Sequence, residues 1–534
     1  MCSATAAHAL LKSLNIQLIA MYRGADAAPL AESLSERKRI SNMTESSCHN
    51  ANQTCWSCPA VEFKGHVDFR ACGQAAFRKA AQGQLVVECK RRPEIGYFDP
   101  MSITFESCSE WKKTDSGYML DGMRVLILGM DGYLGWPLAL KLAKLGCKVY
   151  GIDNMLRRKL VEERGAHSVT PIQSMEDRIK AANEHLGVDI EFREIDLMDR
   201  EALFAYIKEV QPESIVQFAE IPSAPYSMAS VEKAVNTIQN NVVGTLGLLF
   251  GVRDHAPDAS IIKLGTMGEY GSPLTGRPLF EGLFPGDAVL QYQGKEWSLG
   301  GELTPRDPVS FYHVSKVQGT YSVYEACKYW WLRSYDVMQG VIYGNYSEEL
   351  TAHADLNTRL DIDEWWGTVV NRFVAQAVIG MPLTIYGSGN QMRGYITLRD
   401  AMQCITRLIA APPEPGQYDV VNQVTDVFSV MQIAKMVAAI GAEFGLDVEV
   451  QRIENPRVEA EEHPYEVIHE KLSERFGFQS ESSFASEVRH LFRVLTQPEA
   501  RARILSQRDT LFPKTKWSGE HGKLEVLETW RPAA

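Results

Sequence analysis

The stretch "MRVLILGMDGYLGWPLALKLAKLG", residues 123–146, constrains the fold more than any other. An apolar run of strand length ends at Gly129, and glycines recur at 132 and 135. An amphipathic pattern then begins, with Leu138, Leu140, Leu142 and Leu145 among its apolar positions. A short buried strand feeding a helix through glycines opens a βαβ unit. Gly129, Gly132 and Gly135 permit a tight turn and let a pyrophosphate approach backbone N–H groups at a helix N-terminus. "KVYGID" (148–153) is the next strand, and Asp153 ends it 18 residues after Gly135. A carboxylate there can accept from both hydroxyls of an adenosine ribose, which favours NAD over NADP. Arg157 and Arg158 follow; they either pair with a 2′-phosphate or lie along an adenine or pyrophosphate. Asp131, Tyr133, Asn154 and Phe218 complete the residues expected around the cofactor, with Asp196 and Leu197 suited to an adenine edge.

The rhythm continues for about 300 residues. Further strands are expected at 190–196, 214–220, 261–266 and 337–344, separated by helix-length patterns. This predicts an α/β fold: a Rossmann-type doubly wound parallel sheet covered on both faces. Residues 271–309, rich in Gly and Pro, read as an insert with a hairpin at "VLQYQGKEW". The expected division is a Cys-rich N-terminal extension over 1–122, a Rossmann domain over 123–344, and a smaller α+β lobe over 345–534. Within the last, 393–424 is expected to return to the Rossmann domain.

A net charge of −12 argues against non-specific nucleic-acid binding. No apolar run approaches the roughly 18 residues of a membrane span. The N-terminal "ALLKSLNIQLIAMY" lacks the basic flank and cleavage site of a signal peptide. Seven of the ten cysteines precede residue 123; only Cys147, Cys327 and Cys404 follow. The later part thus suits a reducing compartment, expected to be the cytoplasm, or the chloroplast in a plant or alga. Cys55 and Cys58 form a CxxC near Cys48, His49, Cys72 and Cys89. Without a second CxxC the spacing is irregular, and no metal is expected.

"YHVSK" places Tyr312 and Lys316 one helical turn apart. A nearby ammonium stabilises phenolate and is expected to lower the tyrosine pKa toward working pH. With Thr266 at a strand end, the three form the triad of the extended short-chain dehydrogenase/reductases, and Asn241 would support the proton path.

Within that class the motifs "GMDGYLGW", "DNMLRR", "SAPYSM", "LGTMGEYG", "FYHVSK", "RLDIDEWWGTVVNRF", "YGSGNQMRGYITLRD" and "NPRVEAEEH" resemble the UDP-sulfoquinovose synthase family. The resemblance runs from about 123 to the C-terminus. It implies that UDP-glucose and sulfite give UDP-sulfoquinovose through 4-keto and 5,6-ene intermediates, with NAD recycled. Tyr312 would deprotonate the 4-hydroxyl. His313 would donate to sulfite, shuttle a proton or be structural; Glu269 would act as acid/base near C5 or C6, or cap the turn. The C-terminal lobe would bind the sugar nucleotide: Arg393 and Arg457 at the diphosphate, Glu461 at the uridine ribose, and Arg359, Asn371 and Gln339 around the sugar or nucleotide. Gln339 is also expected to reach the cofactor. Related 4,6-dehydratases carry an Asp-Glu pair after the strand-end threonine. Met267-Gly268 would instead leave a neutral slot for the incoming anion. The family's Gln-Arg before "SAPYSM" is here Ile221-Pro222. A UDP-sugar 4-epimerase or 4,6-dehydratase that ignores sulfite is the alternative. A homodimer is expected by analogy with the class.

Overall fold

The computed structural model describes residues 120–532, apart from 273–274, 458, 515 and 519–523, together with five short upstream strands. The chain divides into two compact units, 1–112 and 113–534. In the first, Gln53–Thr54 pairs with Thr104–Phe105, and Val61–Lys64, Val86–Cys89 and Tyr97–Phe98 form an antiparallel sheet. The cysteine and histidine side chains weighed as metal ligands there lie outside the described residues.

The second unit is built on seven parallel strands: β1 (Arg124–Leu128), β2 (Lys148–Asp153), β3 (Ile190–Glu194), β4 (Ser214–Gln217), β5 (Ser260–Leu264), β6 (Arg333–Gln339) and β7 (Tyr418–Gln423). Their order is β7-β6-β5-β4-β1-β2-β3, with the reversal between β1 and β4. In such sheets ligands bind at the carboxyl ends of the strands, beside that reversal. β4 and β5 are buried throughout, as strands covered on both faces must be. Helix α1 (Gly135–Lys144) follows β1, with Pro137 in its first turn where no intrahelical N–H is lost. Helix α2 (Leu156–Glu163) follows β2, α3 (Met175–Leu186) precedes β3, and the long α4 (Phe311–Trp330) precedes β6.

The expected strand at 337–344 is two strands, β6 and Val341–Tyr343. Gly340 separates them. A Cβ on it would sit 2.8 Å from Gly394 O and 3.1 Å from Gln423 O, so only glycine lets the chain leave the main sheet there. Val341–Tyr343 then joins Met392–Thr397 and Asp426–Ser429 in a second sheet, and Leu383–Tyr386, Val450–Ile453 and Val526–Trp530 form a third. Tyr343, Phe373, Tyr395, Val437 and Phe492 are among the residues of this lobe's own core. The return to the main sheet is narrower than 393–424: it begins with helix Leu398–Ala410 and ends with β7. The insert carries the expected hairpin, Val289–Tyr292 against Lys295–Ser298, turned by Gln293 and Gly294, both at positive φ.

Candidate active site

The glycine-rich turn fits a dinucleotide because it has no room for side chains of its own. Gly129 sits at φ +85°, and a Cβ there would lie 2.7 Å from the backbone of Phe218 and Ala219. A Cβ on Gly135 would overlap Gly129 O. A cavity opens beside this turn. Gly129, Gly132, Tyr133, Asp153, Asn154, Arg157, Leu197 and Phe218 line it, among the residues expected there.

Asp153 closes β2 with its carboxylate fixed by two backbone donors, Asp131 N at 2.9 Å and Met155 N at 2.8 Å. Burial, with Asp131 nearby, pushes it up to about 6. Asn154 donates to Asp196, which is exposed and outside the cavity lining. Asp131 is fully buried and draws three arginines. Arg158 donates to it at 2.9 and 2.6 Å, Arg178 donates at 3.0 Å, and Arg359 stands 3.9 Å away. Arg157 lies 3.9 Å over the Trp366 ring and pairs with Asp361 at 3.0 Å.

Arg359, expected around the sugar or nucleotide, donates to Asp361 at 3.0 and 3.2 Å and faces Asp131, on the glycine-rich-turn side. Asn371 accepts from Gly344 N at 2.9 Å and hydrogen-bonds Tyr133, whose hydroxyl reaches Gly344 O. Gln339 is held by Gln423 at 3.0 Å. Asn241 is fully buried: it grips both backbone groups of Ile221 and donates to Ser315 in α4 at 3.0 Å. Ile221 packs with Leu160, Tyr226 and Trp366 and lines the cofactor cavity, so its apolar side chain meets an apolar wall.

The Thr266 and Tyr312 hydroxyls are hydrogen-bonded to each other. Desolvation pushes the Tyr312 phenol above its ordinary value; the Glu269 charge adds to this, and Thr266 pulls the other way. This corrects the expectation of an ammonium-lowered tyrosine. Lys316 Nζ lies 5.8 Å from the Tyr312 ring centre and is ion-paired with Glu220. It also donates to Leu264 O at 2.5 Å. Burial pulls Lys316 down to about 7, against the opposing pull of the Asp336 charge.

Glu269 is not available as an acid/base toward a ligand. It is fully buried beneath the turn, 3.0 Å from Thr320 Oγ1, 3.4 Å from Lys263 Nζ and 3.6 Å from Arg306. Lys263, also fully buried, is 3.2 Å from both Asp336 carboxylate oxygens and donates to Thr320 at 2.8 Å and Lys316 O at 3.3 Å. This ionic network ties β5, β6 and the Thr266 turn to α4.

The neutral slot expected at Met267-Gly268 is filled. Met267 packs in the core with Tyr270, Leu279 and Met338. A Cβ on Gly268 would run into Nε2 of His313, so the imidazole occupies the missing side chain's place. Ser310 Oγ holds His313 Nδ1 at 2.9 Å. Desolvation, then the charges of Arg457 and Arg393, pull His313 down to about 3, so the ring is neutral near pH 7.

The two arginines thus act electrostatically on the first turn of α4 from the second lobe. Arg393 pairs with Glu459 at 2.6 Å and meets His463 at 3.2 Å. Arg457 lies over Tyr386 and Trp517. Glu461 accepts from Ser388 N at 2.7 Å and Asn455 at 3.1 Å, holding the turn at Gly387. Glu220 and Trp366 escaped the sequence reading. Trp366 sits in the quoted "DEWW" without an assigned role, and Glu220 carries no signal of its own beside a strand end.

Residues 125–422 match the NAD dependent epimerase/dehydratase family. The UDP-sulfoquinovose synthase of Sulfolobus acidocaldarius is 41% identical over 395 residues, covering 74% of this chain and 98% of that protein. The chloroplastic UDP-sulfoquinovose synthase of Spinacia oleracea is 41% identical over 351 residues, covering 66% of this chain and 71% of that protein. Two solved structures share the fold. The UDP-glucose 4-epimerase of Thermotoga maritima with UDP-glucose has 18% identity and a TM-score of 0.51, covering 70% of this chain and 98% of that one. The Bifidobacterium longum UDP-glucose 4-epimerase in complex with NAD+ and UDP has 16% identity and a TM-score of 0.52, covering 71% and 100%.

Proposed function

Because the chain belongs to the UDP-sulfoquinovose synthase family, within the NAD dependent epimerase/dehydratases, we propose that it converts UDP-glucose and sulfite to UDP-sulfoquinovose. The observation that carries this reading is the geometry at residue 268. A neutral imidazole stands where related dehydratases carry an acid, and two arginines act on it from the second lobe.

The glycine-rich turn, Asp153 and the cavity wall would hold NAD. When bound, NAD supplies the oxidation and later re-reduction at sugar C4. Tyr312, hydrogen-bonded to Thr266, takes the proton of the 4-hydroxyl and returns it. The 4-ketone acidifies the C5–H bond. The C5 proton and the C6 hydroxyl leave as water, giving the enone. Sulfite then forms a C–S bond at C6 while a proton returns to C5. Arg393 and Arg457 offer cationic partners to the UDP diphosphate, and Glu461 shapes the turn beside them. A neutral His313 can donate to an anion without adding the repulsion a carboxylate would bring. Gln339, Asn371 and Arg359 act on the site through the strand ends and loops they fix, as does Asn241 through α4.

Hydrogen exchange at C5 tests the early steps. In deuterated water without sulfite, UDP-glucose is expected to gain deuterium at C5, and Tyr312→Phe to abolish the gain. Inversion at C4 with C5 unexchanged would favour the epimerase reading.

A homodimer belongs to the same proposal. Val231, Val235, Leu246 and Phe250 are exposed on helices Val231–Ile238 and Gly244–His255, and Tyr321 and Tyr329 on the adjacent α4. Apolar exposure on this scale suits a helix-to-helix interface. Light scattering of the purified chain is expected to give twice the chain mass, and Leu246→Glu to give the monomer mass.

The described residues contain no helix long and apolar enough to cross a membrane.

A further inference from the structure

Four arginines crowd the carboxyl end of β2: Arg157, Arg158, Arg178 and Arg359. Such a cluster beside an adenosine ribose is what a 2′-phosphate would seek, since guanidinium forks match phosphate oxygens. Asp153 alone gives an incomplete reason for refusing one. Its carboxylate answers the ribose hydroxyls but touches none of these guanidiniums at hydrogen-bond distance among the described contacts.

Asp131 does. It sits inside the glycine-rich turn, between Gly129 and Gly132, and its backbone N–H donates to Asp153 at 2.9 Å. Its own carboxylate is fully buried and takes Arg158 through two donors, at 2.9 and 2.6 Å, and Arg178 at 3.0 Å. Arg178 is itself fully buried, stacked 4.3 Å over Trp136, and its Nε and Nη2 have no hydrogen-bond partner among the described residues. The same is true of Arg359 Nη1, which points to the shortage of anions here. Asp361 meets Arg157 and Arg359; Asp131 is the carboxylate that meets Arg158 and Arg178.

We infer that Asp131 is a cofactor-specificity residue: an internal anion that occupies the guanidiniums of Arg158 and Arg178 and so denies them to the 2′-phosphate of NADP. Selection for NAD then rests on two carboxylates with separate tasks. Asp153 rewards the free 2′-hydroxyl, and Asp131 removes the reward for a phosphate. A 2′-phosphate must also approach the negative charge of both.

The test is competition between NADP+ and NAD+ on the full-length protein, with bound nucleotide quantified by mass spectrometry over a concentration range to give a Kd for each. Asp131→Asn keeps an acceptor for Arg158 but removes the charge. It is expected to tighten NADP+ by at least about tenfold, the effect of one added charge-assisted contact, while NAD+ binding by the unmodified chain reports separately on the cofactor. Adding Arg158→Ala to Asp131→Asn is expected to remove most of that gain, which general loosening of the turn would not do. Asp153→Asn, which leaves Asp131 in place, is expected to weaken NAD+ and to relieve part of the repulsion on NADP+, by an amount that Arg158→Ala does not change. An unchanged NADP+ Kd in Asp131→Asn, or a gain there that Arg158→Ala leaves undiminished, would each overturn the assignment.

Discussion

Gly268 and His313 share one space: the imidazole Nε2 of His313 lies where a Cβ on residue 268 would be. The loss of an acid after Thr266 therefore does not leave an empty slot. It admits a neutral ring from the first turn of α4, next to Tyr312, the proposed carrier of the sugar proton. Any side chain at 268 must expel that ring. Gly268→Ala is expected to cost about 1–3 kcal/mol through overpacking and to lower turnover. Removing the ring with His313→Ala in the same chain is expected to restore the lost stability, but not turnover. Denaturant unfolding of the two single variants and the double variant measures this coupling.

His313 also sets an acid dependence. The unfolded chain takes up a proton near the ordinary histidine value of 6.5, whereas the native state refuses it until about 3. Between those values the unfolded state binds more protons, so the residue's contribution to stability falls as pH falls, by up to about 1.4 kcal/mol per unit. His313→Asn is expected to flatten that part of the profile. Unfolding at pH 7, 6, 5 and 4, compared between the two proteins, gives the difference directly.

Glu220 is expected to matter because Lys316 depends on it. The ammonium is buried, and Glu220 is the carboxylate in ion-pair contact with it. Glu220→Gln removes that charge and leaves Leu264 O as an acceptor. Loss of a charge-assisted contact worth roughly 1.5–3 kcal/mol predicts a fall in kcat of at least about tenfold. The alkaline limb of the kcat profile should move to lower pH, since the ammonium then loses its proton more readily. A purely structural role for Glu220 would lower the melting temperature without moving that limb.

Lys263 carries the heaviest stability prediction. Breaking a buried ion pair by removing one partner costs about 3–5 kcal/mol. Lys263→Met leaves Asp336 and Glu269 facing each other without the ammonium that lies 3.2 and 3.4 Å from them. A loss of that size in chemical unfolding is expected.

The cofactor half of the site was more legible in the sequence than the substrate half. Glycines at 129, 132 and 135 between a strand and a helix suit a dinucleotide turn once Asp153 closes the next strand. Local spacing carries that information. The correction at Lys316 was out of reach, because the charge that meets it is 96 residues away at Glu220. The surroundings of Arg359 were hidden for a similar reason: its partner Asp361 is two residues on, but the Asp131 that it faces lies in the first turn. Lys263 carries a signal of its own in the sequence. A lysine inside an otherwise apolar strand flanked by buried positions requires a buried anion. Glu269 and Asp336 are those anions, so the carboxylate read as a candidate acid/base was already committed.

The most direct measurement is mass spectrometry of the products formed from UDP-glucose by the purified protein, with and without sulfite. The expected product appears only with sulfite, is heavier than UDP-glucose by the mass of SO2, and disappears with Tyr312→Phe. A 4-keto or C4-inverted sugar nucleotide formed equally in both, with no sulfonate, would contradict the central claim and direct attention to Ile221-Pro222.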